Sequence, residues 1–207
     1  YNILGGFRCQ GAPDKFFTCM INANYKYGKN RTPVFDDFLE TATRGNKQVK
    51  NLILAFIGYC LIPNMEGKCF FVLGTAPDSG KSVLGRLLKR LLSGDSVSNV
   101  PLENFGKTFS LAPIVGKQLN LAMDLKGGAL NDRDVSYIKQ LTGEDDVSIE
   151  IKYINPFSHS NTAKFVFATN KPIRLKEDDE AFWRRMIPFA TSQPSGISTF
   201  RFCARSL

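Results

Sequence analysis

Phe70-Phe71-Val72-Leu73-Gly74-Thr75-Ala76-Pro77-Asp78-Ser79-Gly80-Lys81-Ser82 decides the fold of this 207-residue chain. The apolar run predicts a buried strand, the small and turn-forming residues a tight loop, and Val83-Leu84-Gly85-Arg86-Leu87-Leu88 an amphipathic helix opened by Gly-Lys-Ser. That order builds a phosphate-binding loop. Backbone N–H groups and the helix dipole attract an anion, Lys81 neutralises phosphate charge, and the Ser82 hydroxyl can reach a Mg²⁺ ion. The candidate nucleotide-binding residues are Gly74, Thr75, Ala76, Pro77, Asp78, Ser79, Gly80, Lys81 and Ser82. The spacing departs from the standard one, with Thr75 where a glycine is expected and Gly74 one residue early.

The length suits one α/β domain with at most a small appendage. No apolar run approaches the roughly 18 residues of a membrane span. Tyr1-Asn-Ile-Leu-Gly-Gly has neither an initiator Met nor a signal-peptide layout, which suggests a fragment. Cys9, Cys19, Cys60, Cys69 and Cys203 contain no Cys-x-x-Cys pair, and the single histidine, His159, is remote from them in sequence. Free thiols in a reducing compartment are therefore expected rather than a zinc site. A net charge of +8 fits an anionic partner such as nucleic acid, although a basic surface that only aids solubility has the same charge.

Working outward, residues 1–30 lack a clear period and predict loop. Thr32 is a candidate N-cap with Pro33 in the first helical position, and Gly45 is the expected stop. A second helix over Lys47–Leu61 carries a stripe through Val49, Leu52, Ile53, Phe56, Ile57 and Cys60. The pair forms a small helical preface. In the helix after the loop, Val83, Leu84, Leu87, Leu88, Leu91 and Leu92 form the inward face. Gln118–Asp124 predicts a second strand, 131–142 a helix, and Val147–Tyr153 a half-exposed strand with Val147, Ile149, Ile151 and Tyr153 inward. Asn155-Pro156 is the expected turn before a buried strand over Ala163–Thr169, and a short helix spans Ala181–Met186. Strands interleaved with helices predict a central, largely parallel sheet with ligand at the carboxyl ends of its strands.

Four polar features collect at those ends: Lys81 with Ser82, Asp124, Asn170, and Arg184 with Arg185. Taken singly, Asp124 and Asn170 also suit turns, and the arginines a solvated helix face. Together they supply what hydrolysis of a nucleoside triphosphate needs: a phosphate cradle, a carboxylate for the metal, a group orienting water, and a positive charge on the developing anion.

Three stretches resemble superfamily 3 helicases, the helicase part of phage, plasmid and poxvirus-type primase-helicases. They are Thr32-Pro-Val-Phe-Asp-Asp-Phe-Leu-Glu through Phe56-Ile-Gly-Tyr-Cys-Leu into the phosphate loop, Ile138-Lys-Gln-Leu-Thr-Gly-Glu-Asp-Asp-Val-Ser-Ile-Glu-Ile-Lys-Tyr, and Ala163-Lys-Phe-Val-Phe-Ala-Thr-Asn-Lys-Pro through Glu180-Ala-Phe-Trp-Arg-Arg-Met-Ile-Pro-Phe. The resemblance covers roughly residues 30–190. It implies an AAA+-type P-loop NTPase core that uses ATP and Mg²⁺, assembles as a homo-oligomeric ring, usually a hexamer, and moves along single-stranded DNA. A primase domain would lie upstream in the full-length protein, in a phage or mobile element replicating in the bacterial cytoplasm. By this resemblance Lys81 and Ser82 form the Walker A site, Asp124 the Walker B position with Ser82 on the metal, and Asn170 the sensor. One of Arg184 and Arg185 is the finger reaching a neighbouring subunit. Lys139 and Lys152 fall in the DNA-facing region, where Lys152 also fits a solvated strand residue.

Relatives place Glu or an acidic pair where this chain has Met123-Asp124-Leu125, which leaves the water-activating base unassigned. They also continue beyond the Arg-Arg-x-Ile-Pro-Phe segment. The expected organisation is a loop-rich and helical region over 1–62, the core over 63–190, and an irregular tail over 191–207 that reads as a truncated or frame-shifted end. The second reading is a non-catalytic remnant that binds nucleotide or DNA without turnover.

Overall fold

In the computed structural model, residues 21, 23, 32–63, 65–74 and 80–190 are described. Most of 1–30, the loop Thr75–Ser79 and the tail 191–207 lie outside them.

The chain order begins with helices α1 (Pro33–Thr43) and α2 (Lys47–Cys60), then strand β1 (Phe70–Gly74), helix α3 (Lys81–Leu91) and strands β2 (Val97–Ser98) and β3 (Leu119–Ala122). It continues with β4 (Ala129–Leu130), α4 (Asp132–Leu141), β5 (Asp146–Ile151), β6 (Ile154–Ser160), β7 (Lys164–Thr169), β8 (Arg174–Leu175), α5 (Glu180–Arg185) and β9 (Met186–Ala190). The central sheet has the order β2-β3-β7-β1-β9, and every pairing in it is parallel. All its carboxyl ends therefore share one edge, and β1 sits between β7 and β9, where the connections reverse direction. A ligand crevice is expected there.

Both faces of this sheet are covered, which is why its strands read as unbroken apolar runs. Phe71, Leu73, Val166, Ala168 and Leu121 pack under α2 and α3, while Phe70, Val72, Phe165 and Phe167 pack towards α4, α5 and the β5–β6 hairpin. Phe56 of α2 lies 4.2 Å from Phe71 and 5.3 Å from Phe189, centroid to centroid, so the helical preface is bolted directly to the sheet. The α/β core with its largely parallel sheet and helical preface is as the sequence predicts.

Local details differ. Thr32 stands at the N-cap of α1, but its hydroxyl donates to the Asp36 side chain instead of accepting from the backbone. The helix stops at Thr43; Arg44 is itself left-handed at φ 50°, and the expected Gly45 follows at φ 73° with its N–H donating to Glu40 O at 3.1 Å. Of the expected inward face of α3, only Leu84, Leu88 and the following Leu92 are fully buried; Val83 is 42% exposed and, with Leu87, lines a groove against α1. The turn expected at Asn155-Pro156 lies at Lys152-Tyr153, because Ile151 pairs with Ile154 and Tyr153 adopts φ 67°. Pro156 then sits inside β6, tolerated because that strand is exposed and has one free edge. Tyr153, expected inward, is 92% exposed.

At the amino-terminal edge of the sheet, Lys164 is fully buried. Its Nζ lies 4.9 Å from the Tyr59 ring centroid and donates to the Thr162 carbonyl at 3.1 Å. Burial pulls its pKa down to about 8 and pushes the neighbouring Cys60 thiol up to about 12.

Candidate functional site

The opposite edge carries the candidate residues. β1 delivers the chain to Gly74, and α3 starts at Lys81 after Gly80. Gly80 has φ +83°, and a Cβ there would lie 2.9 Å from the Phe38 ring; only glycine fits both the turn and the close aromatic wall. Apolar contact through the buried Leu84 and Leu88 holds α3 down on the sheet. Gly85 lets the helix come so near β3 that a Cβ would lie 2.8 Å from Met123 Sδ. That contact locks the residue just before Asp124 to the helix bearing Lys81 and Ser82.

Lys81 Nζ donates to Asn170 Oδ1 at 2.7 Å. Two stretches separated by 89 residues are thus brought into direct contact by the β1–β7 pairing. The turn that presents Asn170 is built by Thr169, whose hydroxyl accepts from Lys171 N at 3.0 Å and donates to Lys171 O at 2.8 Å. Partial burial lowers the pKa of Lys81. Asp124 is exposed at the same edge, between Met123 and Leu125, whose N–H continues the pairing to Ala168 O at 3.1 Å. Ser82 is exposed on the first turn of α3. Of the predicted loop, Gly74, Gly80, Lys81 and Ser82 are described, and Thr75, Ala76, Pro77, Asp78 and Ser79 are not.

Arg184 and Arg185 differ in a way that the sequence does not show. The Arg184 side chain is 71% exposed and reaches only 4.0 Å from Glu180. Arg185 folds back, donating from Nη1 to Ala181 O at 3.1 Å with a buried Nε. Lys152 occupies the β5–β6 tip, its Nζ 5.0 Å from the centroid of the exposed Tyr153 ring. Lys139 is elsewhere, on α4, with Nζ 2.6 Å from Asp179 Oδ2.

Two features are absent from the sequence reading. Glu103, after β2, accepts from Lys126 N at 3.0 Å and so fixes the loop just past Asp124. The buried Asn120 pins the approach to Glu103 by holding both N–H and C=O of Val100. No local motif announces these pairings, which span about twenty residues. The second feature is a cavity of about 590 Å³ between α1 and α3, walled by Pro33, Phe35, Phe38, Val83 and Leu87 and flanked by Arg86 and Arg90. Phe38 walls this cavity and also lies against Gly80. Its signal in the sequence is the α3 apolar stripe, wider than the sheet alone can cover.

Among the described residues no cluster of three or more His, Cys, Asp or Glu side chains is placed to hold a metal ion, and no helix is long and apolar enough to cross a membrane.

A family model described as "Family of unknown function (DUF5906)" matches residues 72–185, over half of the chain. The chain belongs to this family. The DUF5906 match begins in β1 and ends with α5, so it takes in every candidate residue from Gly74 to Arg185. A protein of Acanthamoeba polyphaga mimivirus, provisionally named a helicase, is 25% identical over 203 residues, covering 91% of this chain and 21% of that protein. Among solved structures, the apo NrS-1 C-terminal region aligns with a TM-score of 0.59 at 17% identity, over 80% of this chain and 39% of that one. A JCV helicase structure aligns at 0.49 and 20% identity, over 73% of this chain and 42% of that one. The chain thus spans about a fifth of the mimivirus protein and two fifths of the NrS-1 chain. The mimivirus likeness supports the helicase-type relationship read from the motifs, and the NrS-1 region shares the fold.

Proposed function

We propose that this domain hydrolyses ATP to move along single-stranded DNA, as the helicase part of a phage- or plasmid-like replication protein. The observation that carries the reading is the Lys81–Asn170 contact of 2.7 Å at the carboxyl edge of the sheet, beside the start of α3. In that position the amine is held ready for a phosphate, which would replace the amide oxygen as its partner. Asn170 is then released to orient the attacking water. The base enters the cavity between α1 and α3, where Phe38 and Val83 offer apolar contact.

The donor set suits Mg²⁺: the exposed Ser82 hydroxyl and Asp124 carboxylate are hard oxygens, and this ion keeps several waters of its own. Bound there, the metal would neutralise charge building on the phosphates. Asp124 would hold it, and Met123, packed against Gly85 of α3, keeps Asp124 at the carboxyl edge.

Arg184 is the arginine presented to a neighbouring subunit, since Arg185 is occupied by its own helix. Hydrolysis therefore requires a homo-oligomeric ring, a hexamer by resemblance, with a primase domain elsewhere in the full-length protein. Lys152 and Tyr153 at the hairpin tip contact the DNA strand, by charge and by stacking.

The test is phosphate release titrated against protein concentration, with and without single-stranded DNA. A rate per subunit that climbs with concentration, rises with DNA and disappears in Lys81→Ala is expected; activity retained in that variant would sink the proposal. One observation favours a second reading: Asp124 has no acidic neighbour in Met123-Asp124-Leu125. Nucleotide affinity without phosphate release at any concentration would select a binding-only domain.

A further inference from the structure

Helix α4 touches two regions that the proposed function needs to communicate. At its carboxyl end, Leu141 O accepts from Asn161 Nδ2 at 2.9 Å, and the same nitrogen donates to Ala163 O at 3.0 Å. Asn161 closes the base of the β5–β6 hairpin, so α4 and the hairpin share one hydrogen-bonded joint. Ile138 and Leu141 of α4 and Val147 and Ile149 of β5 are buried in one apolar cluster. The hairpin stands on α4 as on a rigid beam.

Two residues earlier, Lys139 Nζ donates to Asp179 Oδ2 at 2.6 Å, with both side chains about a quarter to a third exposed. Asp179 is also the N-cap of α5, its other oxygen accepting from Phe182 N at 2.8 Å. Lys139 and this N–H together hold the Asp179 carboxyl below the usual carboxylate range. Phe182, fully buried, lies 5.0 Å from Phe70 on β1, and the next residues of α5 are Trp183, Arg184 and Arg185. One carboxylate thus starts the arginine helix and ties it to the hairpin's helix.

We propose that Lys139 and Asp179 are a positioning pair: they link the DNA-facing hairpin to the orientation of α5, and through it to Arg184. The inference rests on the proposed function for its two ends. In it Lys139 serves not as a DNA contact but as the tie between strand binding at the tip and the arginine offered to the next subunit. A purely structural pair would hold α5 in place equally with or without DNA; a positioning pair makes α5 respond to it.

Trp183 reports on that response. It is the chain's only tryptophan, stacks edge-on against Phe182 at 5.1 Å and donates from Nε1 to Asp178 Oδ1 at 2.7 Å. The experiment adds an oligo-dT strand to the 207-residue chain, following Trp183 emission and, on a labelled oligonucleotide, binding by anisotropy. Wild type is expected to bind and shift its emission. Lys139→Met and Asp179→Asn are expected to bind with unchanged affinity and lose the shift, while Lys139→Arg keeps it. Asn still caps Phe182 N, so Asp179→Asn leaves α5 folded and removes only the charge. A wild-type-sized shift in both neutral variants overturns the inference and leaves the proposed function standing. So does loss of affinity in Lys139→Met alone, which would make Lys139 a DNA contact. A wild-type chain that does not bind the strand overturns both.

Discussion

Lys81 and Lys164 stand at opposite ends of one parallel sheet, and burial lowers the pKa of each. Lys164 is sealed under the Tyr59 ring, at the head of β7 and beside two thiols. Lys81 lies past the end of β1, with a neutral amide oxygen as a partner and the first turn of a helix around it. The more perturbed amine is the one with no opening to any ligand. A shifted pKa marks desolvation, and desolvation alone does not make a site. What separates the two lysines is the backbone: a helix N-terminus and an amide partner at the carboxyl edge surround the first, and packed side chains the second.

The largest expected effect breaks the comparison if it is wrong. Lys81→Ala should cut phosphate release by about 10²–10³-fold or more, the range seen when one preorganised charge-stabilising donor is lost, and leave the melting temperature nearly unchanged. Lys164→Met should do the reverse, keeping turnover and altering stability. If Lys164→Met silences hydrolysis while the fold survives, the amino-terminal edge is functional and the contrast fails.

Stability against pH gives the next largest effect. Between about 8 and the ordinary lysine value of 10.5 the unfolded chain holds a proton that folded Lys164 has released, so this lysine makes stability rise with pH in that window. Below about 8 both states are protonated and the cost of the buried charge is full. At roughly 1.4 kcal/mol per pH unit the change is on the order of 3 kcal/mol. Cys60, raised from 9.0 to about 12, acts in the opposite sense above 9.0. The measurement is therefore the difference between wild type and Lys164→Met, by urea denaturation from pH 7 to 10. A difference that stays flat would mean that Lys164 is not desolvated as the structure has it.

Much of the carboxyl edge was legible because its signals are local. An apolar run, Gly-Lys-Ser and an amphipathic helix are contiguous, and Phe-Ala-Thr-Asn places Asn170 directly after its strand. What failed to show depends on partners distant in sequence. Lys139 and Asp179 are forty residues apart, and nothing near either marks the pairing. Val83 and Leu87 look like core because periodicity reports an apolar face without saying what covers it. The hairpin turn was displaced by three residues because Asn-Pro is a turn former in isolation, whereas the Ile151–Ile154 pairing fixed the register. Two-residue β2 and Pro188-containing β9 are too short or too interrupted to register as strands.

Phe38 tests whether the carboxyl edge extends beyond the phosphates. It is half-buried, stacked on Phe35 at 6.2 Å, and forms a wall common to Gly80 and the cavity. Phe38→Ala should weaken ATP binding by about 2 kcal/mol, roughly thirtyfold, and leave inorganic triphosphate binding unchanged, since that ligand has no base. Equal losses for both ligands would show that Phe38 supports the loop and not the base.

The smallest effect sharpens the comparison with a third lysine. Lys152 lies over the Tyr153 ring at 5.0 Å, almost the same arrangement as Lys164 over Tyr59 at 4.9 Å, but at an exposed tip. Exposed, such a pair contributes only about 0.5–1 kcal/mol within the fold, so Tyr153→Ala should hardly change stability. Both groups remain available to an outside partner: the ring face can stack on a base and the ammonium can meet a phosphate. Tyr153→Ala should weaken oligo-dT binding by about 1 kcal/mol, roughly fivefold. Lys152→Ala should also flatten the dependence on salt, because each phosphate contact on a single strand contributes a slope of about −0.7. Titrations of both variants at several salt concentrations separate the terms. Tyr153→Ala is expected to keep the wild-type slope with a lower intercept, and Lys152→Ala to lose part of the slope. Unchanged binding in both would move the DNA contact off the hairpin, leaving its Lys–Tyr pair a surface counterpart of the buried one.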